Sequence, residues 1–164
     1  MTTKVPSEFL STGAVVQVVS TAKTNTWSSS TTLSYVDITG FNVSITPAST
    51  SNKVLITAHV SVSNFSLASF RLVRGSTVIG LGDSLGGNRV QATLGPTSFT
   101  RDGNRVNPIS IMFLDTPSTT SAITYKLQAY TQNGTQYINR TYADTNAAYT
   151  SSSISTITAM EIVG

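Results

Sequence analysis

Side-chain chemistry has few places to start in this 164-residue sequence. Acid–base catalysis needs a histidine or a tuned carboxylate beside a partner. His59 is the only histidine. It shares an alternating stretch with Thr57 and Ser61, on the polar side, where a surface or interface position suits it better than a catalytic one. A single imidazole cannot build a multi-histidine metal site. The seven acidic residues are scattered, with no close pair and no calcium-loop spacing. Asp102-Gly103-Asn104 reads as a turn. Gly80-Leu-Gly-Asp-Ser-Leu-Gly86 has the wrong spacing for a dinucleotide loop, and no helical pattern follows it. The sequence has no cysteine, which excludes disulfides and thiolate metal sites. The expectation is no catalytic residue, no metal, no cofactor and no enzyme. A sugar-acting enzyme is the rival reading, and it wants carboxylates that the sequence does not supply.

Aromatic residues near polar loops are the remaining candidates. Trp27, Tyr137, Tyr142 and Tyr149 are placed to stack on sugar rings or to anchor a protein contact. Packing over the edge of the sandwich is the preferred explanation. The ten Lys and Arg residues are dispersed, and the net charge is only +3. No basic stripe forms, so nucleic acid is not an expected partner. No run of about 18 apolar residues exists, so no transmembrane helix is expected. The first residues lack the apolar segment of a signal peptide, and the chain is expected to be made in a cytoplasm. Asn42-Val-Ser, Asn64-Phe-Ser, Asn133-Gly-Thr and Asn139-Arg-Thr match the glycosylation pattern by chance in a chain rich in Ser and Thr.

The elements that must position these residues are strands. Only 10% of residues are charged, and hydroxyls take their place. Threonine, being β-branched, fits a pleated surface. Apolar and polar residues alternate over 53–63, with Val54, Ile56, Ala58, Val60 and Val62 on one face. They alternate again over 122–131, with Ile123, Tyr125, Leu127 and Ala129 together. Strands are expected at 14–19, 33–38, 41–45, 70–74, 77–79, near 89–93, at 109–114, at 136–138 and at 154–163. Trp27 falls in a polar loop. Thr39-Gly40 and Gly75-Ser76 read as turns, and Asn133-Gly134 is the strongest hairpin signal. No helical period appears. About ten short strands argue for an all-β, antiparallel two-sheet sandwich of jelly-roll type.

Three strands are apolar on both faces. Val15 and Val19 oppose Val16 and Val18. Met112 and Leu114 oppose Ile109, Ile111 and Phe113. Ile157, Ala159 and Val163 oppose Ile154, Met160 and Ile162. Such strands need cover on both sides. One side faces the core. With no helix to cover the other, a second copy of the chain is the expected cover, and a folded-over loop is the alternative. The faces assigned to a sister copy are Val15, Gln17 and Val19; Met112 and Leu114; and Ile157, Ala159 and Glu161. Glu161, in a covered strand, would need a Lys, an Arg or water as partner. Residues 1–12 read as an extended attachment arm, with Val5, Phe9 and Leu10 as its apolar contacts, and residues 13–164 as the sandwich.

Several stretches carry a family likeness. They are Leu10-Ser-Thr-Gly-Ala-Val-Val-Gln-Val-Val19, Val36-Asp-Ile-Thr-Gly-Phe-Asn-Val-Ser-Ile-Thr-Pro47, Ser51-Asn-Lys-Val-Leu-Ile56, Leu72-Val-Arg-Gly-Ser-Thr77, Pro108-Ile-Ser-Ile-Met-Phe-Leu-Asp115 and Ile154-Ser-Thr-Ile-Thr-Ala-Met-Glu-Ile162. Together they resemble a domain of tailed-phage structural proteins, found at the distal ends of tail fibres, including those of phages infecting cyanobacteria. The resemblance implies a homotrimer with a TNF- or C1q-like jelly roll, located in the virion. It implies contacts with other virion proteins of the baseplate, tail or capsid, and with a host surface glycan or protein. A long fibre would carry a shaft ahead of this domain, and none is seen. A short trimeric fibre or receptor-binding module for host attachment is therefore the expected role, with capsid decoration as the alternative.

Overall fold

A computed structural model describes residues 10–98 and 103–164. The arm residues Val5 and Phe9 lie outside the described residues, and so does Asp102; Leu10 is half-buried at the start of the described chain. Eleven strands form among the described residues. They are β1 (Val15–Lys23), β2 (Trp27–Ser29), β3 (Tyr35–Ile45), β4 (Lys53–Ser63), β5 (Leu67–Arg74) and β6 (Thr77–Ile79), then β7 (Leu94–Ser98), β8 (Asn107–Asp115), β9 (Ile123–Thr131), β10 (Gln136–Ile138) and β11 (Ser155–Ile162). No helix occurs among these residues.

The front sheet runs β1-β11-β4-β8, all antiparallel. At the far end of β4, β10 replaces β11 as neighbour and adds β2. The back sheet runs β3-β9-β5, with β6 and β7 sharing the other edge of β5. From β1 to β3, β4, β5, β8, β9 and β11, successive long strands change sheet at every step. That alternation makes the sandwich a jelly roll.

Alternation along the strands builds the core. Val54, Ile56, Val60 and Val62 of β4 face Phe41 and Val43 of β3, Phe70 and Leu72 of β5 and Leu127 of β9, all essentially inaccessible to solvent. Each such side chain contributes about 1.5–3 kcal/mol on burial. At one edge of the core Asp115 is held by the Arg74 guanidinium at 3.0 Å and accepts a 2.7 Å hydrogen bond from the buried Tyr125 hydroxyl.

Four turn and strand expectations need correction. Thr39-Gly40 is not a turn: β3 runs through it as one strand. Between Asp37 and Asn42, β3 advances five residues while β9 advances two, so the extra residues form a bulge. Gly40 takes φ +74 there, and the buried Lys23 ammonium donates to the Thr39 carbonyl at 2.9 Å. Asn133-Gly134 turns the chain without making a hairpin. β9 is already paired on both edges, by β3 and β5, so β10 has no free edge to join and crosses to the front sheet. The strand expected near 89–93 lies at Leu94–Ser98, and Trp27 belongs to β2 rather than a loop. Gly75-Ser76 does close the β5–β6 hairpin, with Gly75 at φ +60.

Candidate functional site

On the outer face of the front sheet, apolar side chains stand in register across four strands. Val18, Met160, Leu55 and Leu114 form one row across β1, β11, β4 and β8. Ser20, Thr158, Thr57 and Met112 form the next, and Ala22, Thr156, His59 and Ser110 the third. Val15 pairs with Ile162 above the first row, because a bulge at Val16 brings it to the same side as Val18. Met112 is 75% exposed, Val18 56%, Val15 52% and Leu114 47%. Met160, Leu55 and Ile162 are half-buried. The outward positions of these four strands hold no acid. Lys53 at one end and His59 toward the other are their only groups able to carry charge.

The back sheet presents the opposite chemistry. On its outer face the Asp37 carboxylate accepts from Lys126 at 2.6 Å and from Gln128 at 2.7 Å. Gln128 in turn accepts from Arg71 at 2.7 Å, and the Arg71 guanidinium lies 4.1 Å over the Tyr35 ring. The Lys126 hydrogen bond is the main reason the Asp37 carboxyl sits below its ordinary range. Burial pushes the Tyr35 phenol up to about 12, with Arg71 opposing. This cluster is polar and satisfied within one copy.

The register corrects part of the expected interface. Gln17, Val19, Ile157, Ala159 and Glu161 point into the sandwich. Ile157, Ala159 and Glu161 are fully buried within a single chain. A strand apolar on both sides gives no sign of which side is inner, and the Val16 bulge reverses the count along β1. Met112, Leu114 and Val15 do stand on the outer face. Their neighbours Val18, Met160, Ile162 and Leu55 were missed. The signal for Leu55 was present, since it is the one large apolar residue on the polar side of β4. Among the described residues, Glu161 has no cationic partner. Its Oε1 accepts from the Ala48 amide and from Asn52 Nδ2, and its Oε2 from Gln17 Nε2, each at 2.6 Å. Among the described residues, neutral donors hold this carboxylate in place of the Lys or Arg expected.

Comparison with known proteins adds little. Neither a protein-family model nor a curated protein matches this sequence. Among solved structures, the chain is similar to the VP2 subviral particle of infectious bursal disease virus, at 15% identity and TM-score 0.41, over 90% of this chain and 38% of that one. It is also similar to a structure of the Gx strain of that virus, at 12% identity and TM-score 0.43, over 93% of this chain and 43% of that one. The chain thus spans about two fifths of the structures it matches. Neither likeness bears on what the chain does.

The aromatic candidates separate. Trp27 is half-buried against the core. Tyr142 packs on Phe65 with ring centres 4.0 Å apart and meets Tyr137 edge-on at 5.2 Å. Arg140 lies 4.4 Å over the Tyr137 ring and pairs with Asp144 at 3.2 Å. These rings satisfy one another and wall the end of the sandwich. Tyr149 alone of the four is well exposed, at 68%. Among the described residues, no three His, Cys, Asp or Glu side chains converge as metal ligands.

Proposed function

We propose that this chain is a structural component of a virus particle and works as a homotrimer whose copies meet through the outer face of the front sheet. The observation that carries the proposal is the registered apolar face of Val15, Val18, Leu55, Met112, Leu114 and Met160. Contiguous exposed apolar surface of this kind marks an interaction site. A face that meets its own copies around a symmetry axis brings like residues together, so charge on it would repel. This face is free of acids, and its Lys53 and His59 lie away from the apolar centre. A charged partner would find nothing complementary here, whereas a second copy would. The threefold symmetry, and the setting in a phage particle, rest on the resemblance carried by the β1, β8 and β11 segments.

In this reading the first dozen residues fasten the trimer to a baseplate, tail or capsid protein, and the jelly roll serves host attachment as a short fibre. Gold-labelled antibody against the protein, applied to purified particles, tests the role. Label at the tail tip supports attachment. Label spread over the head replaces it with decoration, and no label on particles removes the virion reading altogether.

A further inference from the structure

We infer that a cleft on the back sheet, on the far side of the sandwich from the apolar face, binds a carboxylate-bearing sugar residue. The cleft encloses about 320 Å3 between the ends of β5 and β9 and the loop over 80–93. That is at the small end of ligand-sized sites, with room for a single ring (about 300–1,000 Å3).

Its walls are fixed. The loop is pinned to the sheet by the Tyr35 hydroxyl on the Gln91 carbonyl at 2.9 Å and by the Thr93 amide on the Phe70 carbonyl at 2.9 Å. Gly95 lies so close to β5 that a Cβ there would stand 2.8 Å from the Ser69 Cα, and its φ of +137 suits glycine alone. That close approach sets Pro96 as one wall. A cleft held this way is organised before any ligand arrives, which lowers the cost of binding.

The lining matches one chemistry. Leu67, Pro96 and the Tyr130 ring supply apolar surface for the C–H face of a pyranose. The Gln132 and Asn88 amides can donate and accept, as sugar hydroxyls require. Arg89 is the only charged residue of the lining. Arg71, Arg74 and Arg140 each hold a ring or a carboxylate of this chain. Arg89 instead makes one long contact, from Nη1 to the Leu85 carbonyl at 3.3 Å, and no carboxylate pairs with it among the described residues. Its planar fork fits a carboxylate. One cation, with no second beside it, favours a singly charged carboxylate over a phosphate.

The biological setting, a receptor glycan, rests on the attachment reading. The binding itself does not, because it needs only one copy and the back sheet stays open when the front sheet is covered. Saturation-transfer difference NMR on the purified protein tests it directly, with sodium glucuronate, glucose and sodium acetate as probes. Glucuronate should bind, with glucose at least about tenfold weaker for want of one charge-assisted hydrogen bond, and acetate, which keeps the charge but lacks the ring that Leu67, Pro96 and Tyr130 would meet, at least about tenfold weaker as well. Arg89→Gln should weaken glucuronate roughly 10- to 100-fold. Val90→Trp, which fills the cleft from its rim, should abolish the signal. Acetate binding as well as glucuronate, no glucuronate signal, or variants that titrate like the unmodified protein would each overturn the inference. If glucuronate binds but the particles carry no label at the tail, the site stands and the attachment reading falls.

Discussion

Gln17 Nε2 lies 2.6 Å from Glu161 Oε2, so a carboxylate buried in the last strand is held by an amide from the first. The same carboxylate gathers the Ala48 amide and Asn52, which tie in the loop between β3 and β4. Glu161→Ala would strand three donors around a cavity. At about 1–3 kcal/mol for each unsatisfied buried group, with Gln17 able to turn toward water, the loss should reach about 2–5 kcal/mol in urea unfolding. Glu161→Gln keeps the shape but points an amide at a donor, and should cost less. Unfolding of Glu161→Ala within 0.5 kcal/mol of the unmodified protein, a typical surface effect (about ±0.5 kcal/mol), would contradict this role.

Tyr125 donates its hydroxyl to Asp115 from inside the core. Tyr125→Phe removes a hydrogen bond to a charged acceptor and leaves Arg74 in place. The expected cost is about 1.5–3 kcal/mol by chemical denaturation. A neutral substitution would show that Arg74 alone satisfies the carboxylate.

Alkaline pH should reveal the half-buried Tyr35 and the buried Tyr125 phenols. Tyr35 rises from 10.0 to about 12 on folding, chiefly through burial. Burial first, and then the bond to Asp115, also raise Tyr125. A folded pKa above the unfolded one contributes stability that is complete below pH 10.0 and is lost as pH climbs toward about 12. Absorbance titration at the phenolate band should therefore show a late-ionising fraction, which shrinks in Tyr35→Phe, where Tyr125 still ionises late, and disappears in denaturant. Simple titration of all six tyrosines together would exclude it.

Much of this architecture was legible in the residues. The alternation in 53–63 and 122–131 marks β4 and β9 and their inner faces, and the lack of any helical period marks the class. What single-chain patterning could not supply was pairing. Asn133-Gly134 has hairpin chemistry, but the occupied edges of β9 decide where the next strand goes. Thr39-Gly40 has turn chemistry, but a bulge absorbs it. The apolar face was legible as a need for cover, while its membership was half misassigned, because Val19 and Val18 look alike until β11 fixes which is inside. The Arg89 cleft was not legible at all, since one loop and the ends of strands far apart in sequence assemble it.

The central claim is that the outer face of the front sheet joins copies of this chain, and sedimentation velocity at micromolar concentration tests it most directly. The unmodified protein should sediment as a trimer. Met112→Lys, which sets a charge in the middle of the face, should release folded monomers, while Ser44→Lys on the back sheet should leave the trimer intact. A monomeric unmodified protein, or a Met112→Lys trimer as stable as the original, would contradict the account.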